Sequence, residues 1–168
     1  KFIENSFANR RDKGSHRAVL KLQKQSRKYK YFLKLDITKY FQSVDQEILF
    51  NQIKRYVKDA RFLHYVKMII KSYSENGERG LEIRDKINCL SQVSIHQSQN
   101  GMPIGNVTSQ LFANIYLHDL DFYVEHSVKP KIRKNCKDIF YIRYVDDFIF
   151  LGENKEDLLW IQENILSF

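Results

Sequence analysis

Aromatic and β-branched residues dominate two short runs, Ile-Phe-Tyr-Ile-Arg-Tyr at 139–144 and Phe-Ile-Phe-Leu at 148–151, and only Val145, Asp146 and Asp147 separate them. Such a pattern predicts two strands joined by a tight turn. Asp alone is a good turn residue. Two adjacent carboxylates at the tip of an apolar hairpin repel each other, and a divalent cation beside them favours both ionised forms. A third acid, Asp36, lies in Tyr-Phe-Leu-Lys-Leu-Asp-Ile at 31–37, where Leu33, Leu35 and Ile37 alternate with Phe32, Lys34 and Asp36. That alternation predicts a strand. Neighbouring strands lie ~4.8 Å apart, so the three carboxylates can converge from adjacent strands. In-line phosphoryl transfer by two hard cations about 3.5–4 Å apart needs such an oxygen-rich cluster.

Around these strands the pattern predicts helices. One spans 15–26, one of about 14 residues is capped by Asp45, and one carries the stripe Phe62, Val66, Ile69 and Tyr73. Residues 75–80 read as a turn and 81–100 as irregular with short strands. Gly-Met-Pro-Ile-Gly at 101–105 is a tight loop leading into a long helix at 106–125. Leu158, Ile161, Ile165 and Phe168 mark a last helix that stops without a cap. With a start that lacks Met, this end suggests a piece of a larger protein.

The 168 residues are 43% hydrophobic and 14% aromatic, enough for a core. No apolar run approaches the ~18 residues that cross a membrane, and the first residues have no signal-peptide core. Cys89 and Cys136 make neither a disulfide framework nor a metal-site spacing, which suits a reducing, cytoplasmic setting. Residues 1–35 hold 11 Lys or Arg against 2 Asp or Glu, a net of +9 within a total of +8, so the remainder carries −1. A basic arm beside a near-neutral body suggests a polyanion partner. Arg10, Arg11, Lys13, His16 and Arg17, then Lys21, Lys24, Arg27, Lys28 and Lys30, supply it. His64, His96, His118 and His126 show no ligand-like spacing.

Taken in order, these segments resemble a bacterial reverse transcriptase nearly end to end. FIENSFANRRDKGSHRAVLKLQK resembles a fingers segment, LKLDITKYFQSVD polymerase motif A, GMPIGNVTSQLFANIYLHDLD motif B, YIRYVDDFIFL motif C, and KEDLLWIQENILSF the start of motif D. The resemblance implies a mixed α/β (α+β) fold. Its palm is a small antiparallel sheet backed by helices over 31–168, with a partial helical fingers segment over 1–30 and no thumb. It implies an RNA-directed DNA polymerase using two Mg²⁺ (Mn²⁺ as substitute), with an RNA template, a DNA or RNA primer and dNTP as partners, an accessory protein beside them and no membrane.

The resemblance also assigns roles. Asp36 and Asp146 would ligate both ions, Asp147 would complete the cluster, and the Ile37 carbonyl would add an oxygen. Phe41, five residues after Asp36, would lie under the incoming sugar and exclude a 2′-hydroxyl. Tyr40, Ile104 and Gly105 would line the nucleotide site. Tyr144, Ser109, Gln110, Arg10, Arg11, Lys13 and Arg17 would meet primer or template. Most reverse transcriptases read Pro-Gln-Gly and then Ser-Pro in motif B, where this chain reads Pro103-Ile104-Gly105 and Ser109-Gln110. That variant is similar to the enzymes of diversity-generating retroelements, which copy RNA with errors opposite adenine. The less polar wall at Ile104 leaves fewer contacts to punish a mispair. Group II intron and retron enzymes are the alternatives within the class; a non-catalytic nucleic-acid-binding module is the alternative outside it. A fragment without a thumb is expected to polymerise poorly while its full-length parent is active.

Overall fold

The computed structural model describes residues 2–73, 100–105, 107–133 and 138–168. The irregular segment expected before Asn100, together with Cys89, His96 and Cys136, lies outside the described residues. The chain forms two compact units, one of residues 1–38 with 113–168 and the other of residues 39–112.

The first unit is built on a three-stranded antiparallel sheet, β1 (Tyr31–Leu35), β2 (Phe140–Tyr144) and β3 (Asp147–Gly152), in the order β1-β3-β2. The mixed α/β class with a small antiparallel sheet and helices is as expected. Phe32 pairs with Leu151, Lys34 with Ile149, and Leu35 with Phe148; on the other side Ile142 pairs with Ile149 and Tyr144 with Asp147. Side chains alternate across a sheet, so one face carries Phe140, Ile142, Ile149 and Leu151. These close a core with Phe7 and with Ala18 and Leu22 of helix α1 (Ser15–Ser26). The opposite face carries Tyr141 stacked on Phe150, ring centroids 4.7 Å apart. The helix Lys155–Leu166 packs on β3 and β1, burying Leu158 and Ile161.

In the second unit, Asp45 caps the helix Gln46–Tyr56 by accepting from the Glu47 and Ile48 amides, and Asp59 caps Ala60–Lys71 by accepting from Phe62. The stripe expected on Ala60–Lys71 is rotated: Val66 and Ile70 are buried, while Phe62 is 54% exposed. The loop at 101–105 is fastened to this unit by main-chain bonds from Gly101 to Val44 and from Met102 to Phe41, and by Gln46 Nε2 donating to the Gly101 carbonyl at 2.9 Å.

The single helix expected at 106–125 is instead broken into Val107–Tyr116 and His118–Tyr123, followed by a π-helical turn Val124–Val128 and a short helix Lys129–Arg133. The break falls at Leu117, whose ψ of 2° departs from helical geometry. Periodicity alone does not show it, because Leu117, Leu120, Val124 and Val128 are all buried at helical spacing.

Candidate active site

The Asp36, Asp146 and Asp147 positions fall at one end of the sheet of the first unit. The last β1–β3 pair is Leu35 with Phe148; Asp36 follows the first and Asp147 precedes the second. Motif C forms a two-residue hairpin in which Tyr144 pairs with Asp147, so Val145 and Asp146 are the turn. Val145 has φ 56°. Glycine is the usual occupant of a positive-φ hairpin position, and a β-branched residue held there stores about 1–3 kcal/mol of strain.

The carboxylates feel one another. Burial raises the Asp146 carboxyl above the usual range, and the negative charges of Asp36 and Asp147 push it the same way. Lys34 of β1, a strand that ends at Leu35 and so just short of Asp36, reaches Asp147 with Nζ 3.0 Å from Oδ1. Its ammonium is raised by that hydrogen bond and by the charge of Asp147. Among the described residues no three His, Cys, Asp or Glu are gathered as a ready-made metal cage. The donor set is nevertheless hard oxygen, and its mutual repulsion is what a divalent cation relieves. Beside Asp147 an open pocket of about 260 Å³ runs between α1 and the sheet, lined by Ala18, Val19, Leu22, Ile142, Ile149 and Tyr144 among others.

Beneath the turn lies a network that sequence reasoning missed. Arg143 of β2 is fully buried and donates through Nε and Nη2 to the two oxygens of Asp121 at 2.8 and 2.5 Å. Its Nη1 donates to Asn114 Oδ1 at 3.1 Å and to the Val145 carbonyl at 2.7 Å. Tyr141 donates its hydroxyl to Asp121 at 2.7 Å, and Asn114 Nδ2 donates to the Ala8 carbonyl. Burial and the Asp121 charge push the Tyr141 hydroxyl well up. The one available signal was a lone charge inside an apolar strand, Arg143 among Tyr141, Ile142 and Tyr144.

The remaining candidates divide between the two units. Tyr144 is partly exposed beside Asp147. Arg10 donates to the Ser6 and Ile3 carbonyls, Lys13 to Glu4, and Arg17 to the Asp12 carbonyl; Arg11 extends into solvent. Three of the four basic candidates thus brace the N-terminal loop with their donors. In the second unit Tyr40 is a core residue, its ring edge-on to the half-buried Phe41 at 5.3 Å. Ile104 is 66% exposed, Gly105 has φ 92° with open space where a Cβ would stand, Gln110 is exposed, and Ser109 is buried.

Against this geometry, the family profile described as "Reverse transcriptase (RNA-dependent DNA polymerase)" matches residues 1–168. The chain belongs to the reverse transcriptase family. This reverse transcriptase chain is 23% identical over 222 residues to the group II intron-encoded protein LtrA of Lactococcus lactis, covering 99% of the chain and 34% of that protein. It is 25% identical over 109 residues to the putative COX1/OXI3 intron 2 protein of Saccharomyces cerevisiae, covering 65% of the chain and 11% of that protein. Protein YkfC of Escherichia coli is 22% identical over 174 residues, covering 87% of the chain and 42% of that protein. The chain therefore spans about a third of the length of LtrA. Among the described residues no helix is long and apolar enough to cross a membrane.

Proposed function

We propose that this chain is the palm, residues 31–168, with a partial fingers segment, residues 1–30, of an RNA-directed DNA polymerase that adds dNTP to a primer 3′-hydroxyl on an RNA template in the cytoplasm. The observation that carries it is the placement of Asp36, Asp146 and Asp147 at one sheet end, close enough that Asp146 feels both neighbours. When bound, two Mg²⁺ (or Mn²⁺) supply charge neutralisation and activation of the 3′-hydroxyl. Asp36, Asp146 and the Ile37 carbonyl would offer the ligand oxygens, and Asp147, paired with Lys34, would complete the cluster. Tyr144, beside Asp147, lies against the primer end. Phe41 with Ile104 and Gly105 lines the nucleotide site, and the buried Tyr40 supports the Phe41 ring from behind. The exposed Arg11 and Gln110 meet primer or template phosphates, which such side chains position without reading sequence; Arg10, Lys13 and Arg17 brace the loop that carries Arg11, and Ser109 is held inside the fold. Primer extension by the full-length gene product on RNA with Mg²⁺, beside an Asp146→Ala, Asp147→Ala double variant, tests the reading. Loss in the variant is expected; equal extension overturns it.

Within the class, Ile104-Gly105 followed by Ser109-Gln110 supports a diversity-generating retroelement enzyme with an accessory protein. The similarity to LtrA supports the group II intron reading. Sequenced products decide between them: errors concentrated opposite template adenine are expected, and errors spread over all four bases favour the intron type.

A further inference from the structure

We infer that Arg143, held by Asp121 and Asn114, is a positioning residue that clamps the strained Val145 turn and thereby sets where Asp146 and Asp147 stand. The inference deepens the polymerase reading and rests on it. Three observations converge. Arg143 and Asp121 are both fully buried, and their two-point contact locks the guanidinium plane. The remaining donor, Nη1, goes to Asn114 and to the Val145 carbonyl at 2.7 Å. Val145, two residues beyond Arg143 and immediately before Asp146, holds a left-handed φ of 56° that a β-branched residue adopts only when its surroundings impose it.

The anchoring reaches well beyond the hairpin. The Arg143 main chain donates to the Asn5 carbonyl and accepts from the Phe7 amide, each at 3.0 Å, and Nη2 reaches Ser6 Oγ at 3.3 Å. The N-terminal loop, the helix bearing Asn114 and the helix bearing Asp121 therefore all meet the one side chain that grips the turn. A buried ion pair is weak evidence for stability by itself. Here one of its donors ends on the backbone of the turn that carries two acids, which gives the pair a task beyond holding the fold.

The test compares Arg143→Lys with the wild type in the full-length protein, alone and combined with Val145→Gly. Lysine keeps the charge and loses the planar fork; glycine adopts positive φ without strain. Arg143→Lys is expected to lower the rate constant for primer extension at least tenfold with little change in dNTP KM, and Val145→Gly in that background to recover several-fold. Amide hydrogen exchange gives a readout independent of activity. Arg143→Lys should speed exchange at Asp146 and Asp147 while the centres of β2 and β3 keep their protection. If Arg143→Lys does not fold, the paired change Arg143→Met with Asp121→Leu removes both charges together and carries the same exchange prediction. Unchanged exchange at the turn, uniform loss of protection across the sheet, no rescue by Val145→Gly in an active enzyme, or failure of both variants to fold each overturns the inference. An inactive wild type would instead overturn the polymerase reading, and the exchange comparison would still decide the role of Arg143.

Discussion

Replacing Gly101 by Ala is predicted to unfold the second unit more readily than any surface change there. Gly101 opens the loop that leads to Ile104 and Gly105, and it sits at φ 101°. A side chain in that region costs about 1–3 kcal/mol. A Cβ would also fall 2.1 Å from Cε1 and 2.4 Å from Cδ1 of the Tyr73 ring, so the ring must move, at the about 1–3 kcal/mol typical of overpacking. Alanine restricts the unfolded chain and returns about 0.4–1 kcal/mol. The expected net is about 1–5 kcal/mol, or at least about 2 °C in Tm for a chain of this size. Urea denaturation measures it, and a cycle with Tyr73→Ala separates the two causes. In the Tyr73→Ala background only the backbone cost should remain, leaving a coupling of about 1 kcal/mol or more. A total loss under about 1 kcal/mol, or equal losses in both backgrounds, would refute the steric reasoning.

Two further predictions concern charge. Burial lowers the His118 imidazolium below its ordinary value of 6.5, against the opposing pull of Asp121. The unfolded chain therefore binds the proton more tightly, and this contribution to stability is present at neutral pH and lost as pH falls below about 6.5. His118→Gln should flatten the loss of stability between pH 7 and 5 in thermal melts; parallel wild-type and variant profiles would contradict it. Lys34→Met removes the half-exposed partner of Asp147. It should leave Tm nearly unchanged and tighten Mn²⁺ binding in a spin-resonance titration at low salt, because the carboxylates lose their internal cation; equal or weaker binding would show that Lys34 does not compete for Asp147.

How far local pattern reaches is visible element by element. The span of α1 agrees with its expected bounds, and the expected strand at 31–37 is present as far as Leu35, with Asp36 just past its end, because both follow from spacing within a few residues. The helix after Asp45 begins where its cap predicts. Where one apolar spacing continues through a geometric break, as at Leu117, the break is invisible. The basic arm shows a different limit of local pattern. Its +9 reads as a surface for phosphate, yet Arg10, Lys13 and Arg17 donate to the carbonyls and the carboxylate of their own loop. A charge count does not show which donors the chain itself satisfies.

By itself, then, the sequence determined the hairpin, the three aspartates and the order of motifs that marks a reverse transcriptase, since alternation and turn chemistry are local and motif order is linear. Tertiary structure alone decided which charges meet. Asp147 meets Lys34 from the far end of the chain, Asp121 takes Arg143 from 22 residues away, and a guanidinium inside the fold grips the turn that aims the acids. Such pairings depend on which strands become neighbours and which side chains lose water, and no spacing within a single segment encodes either.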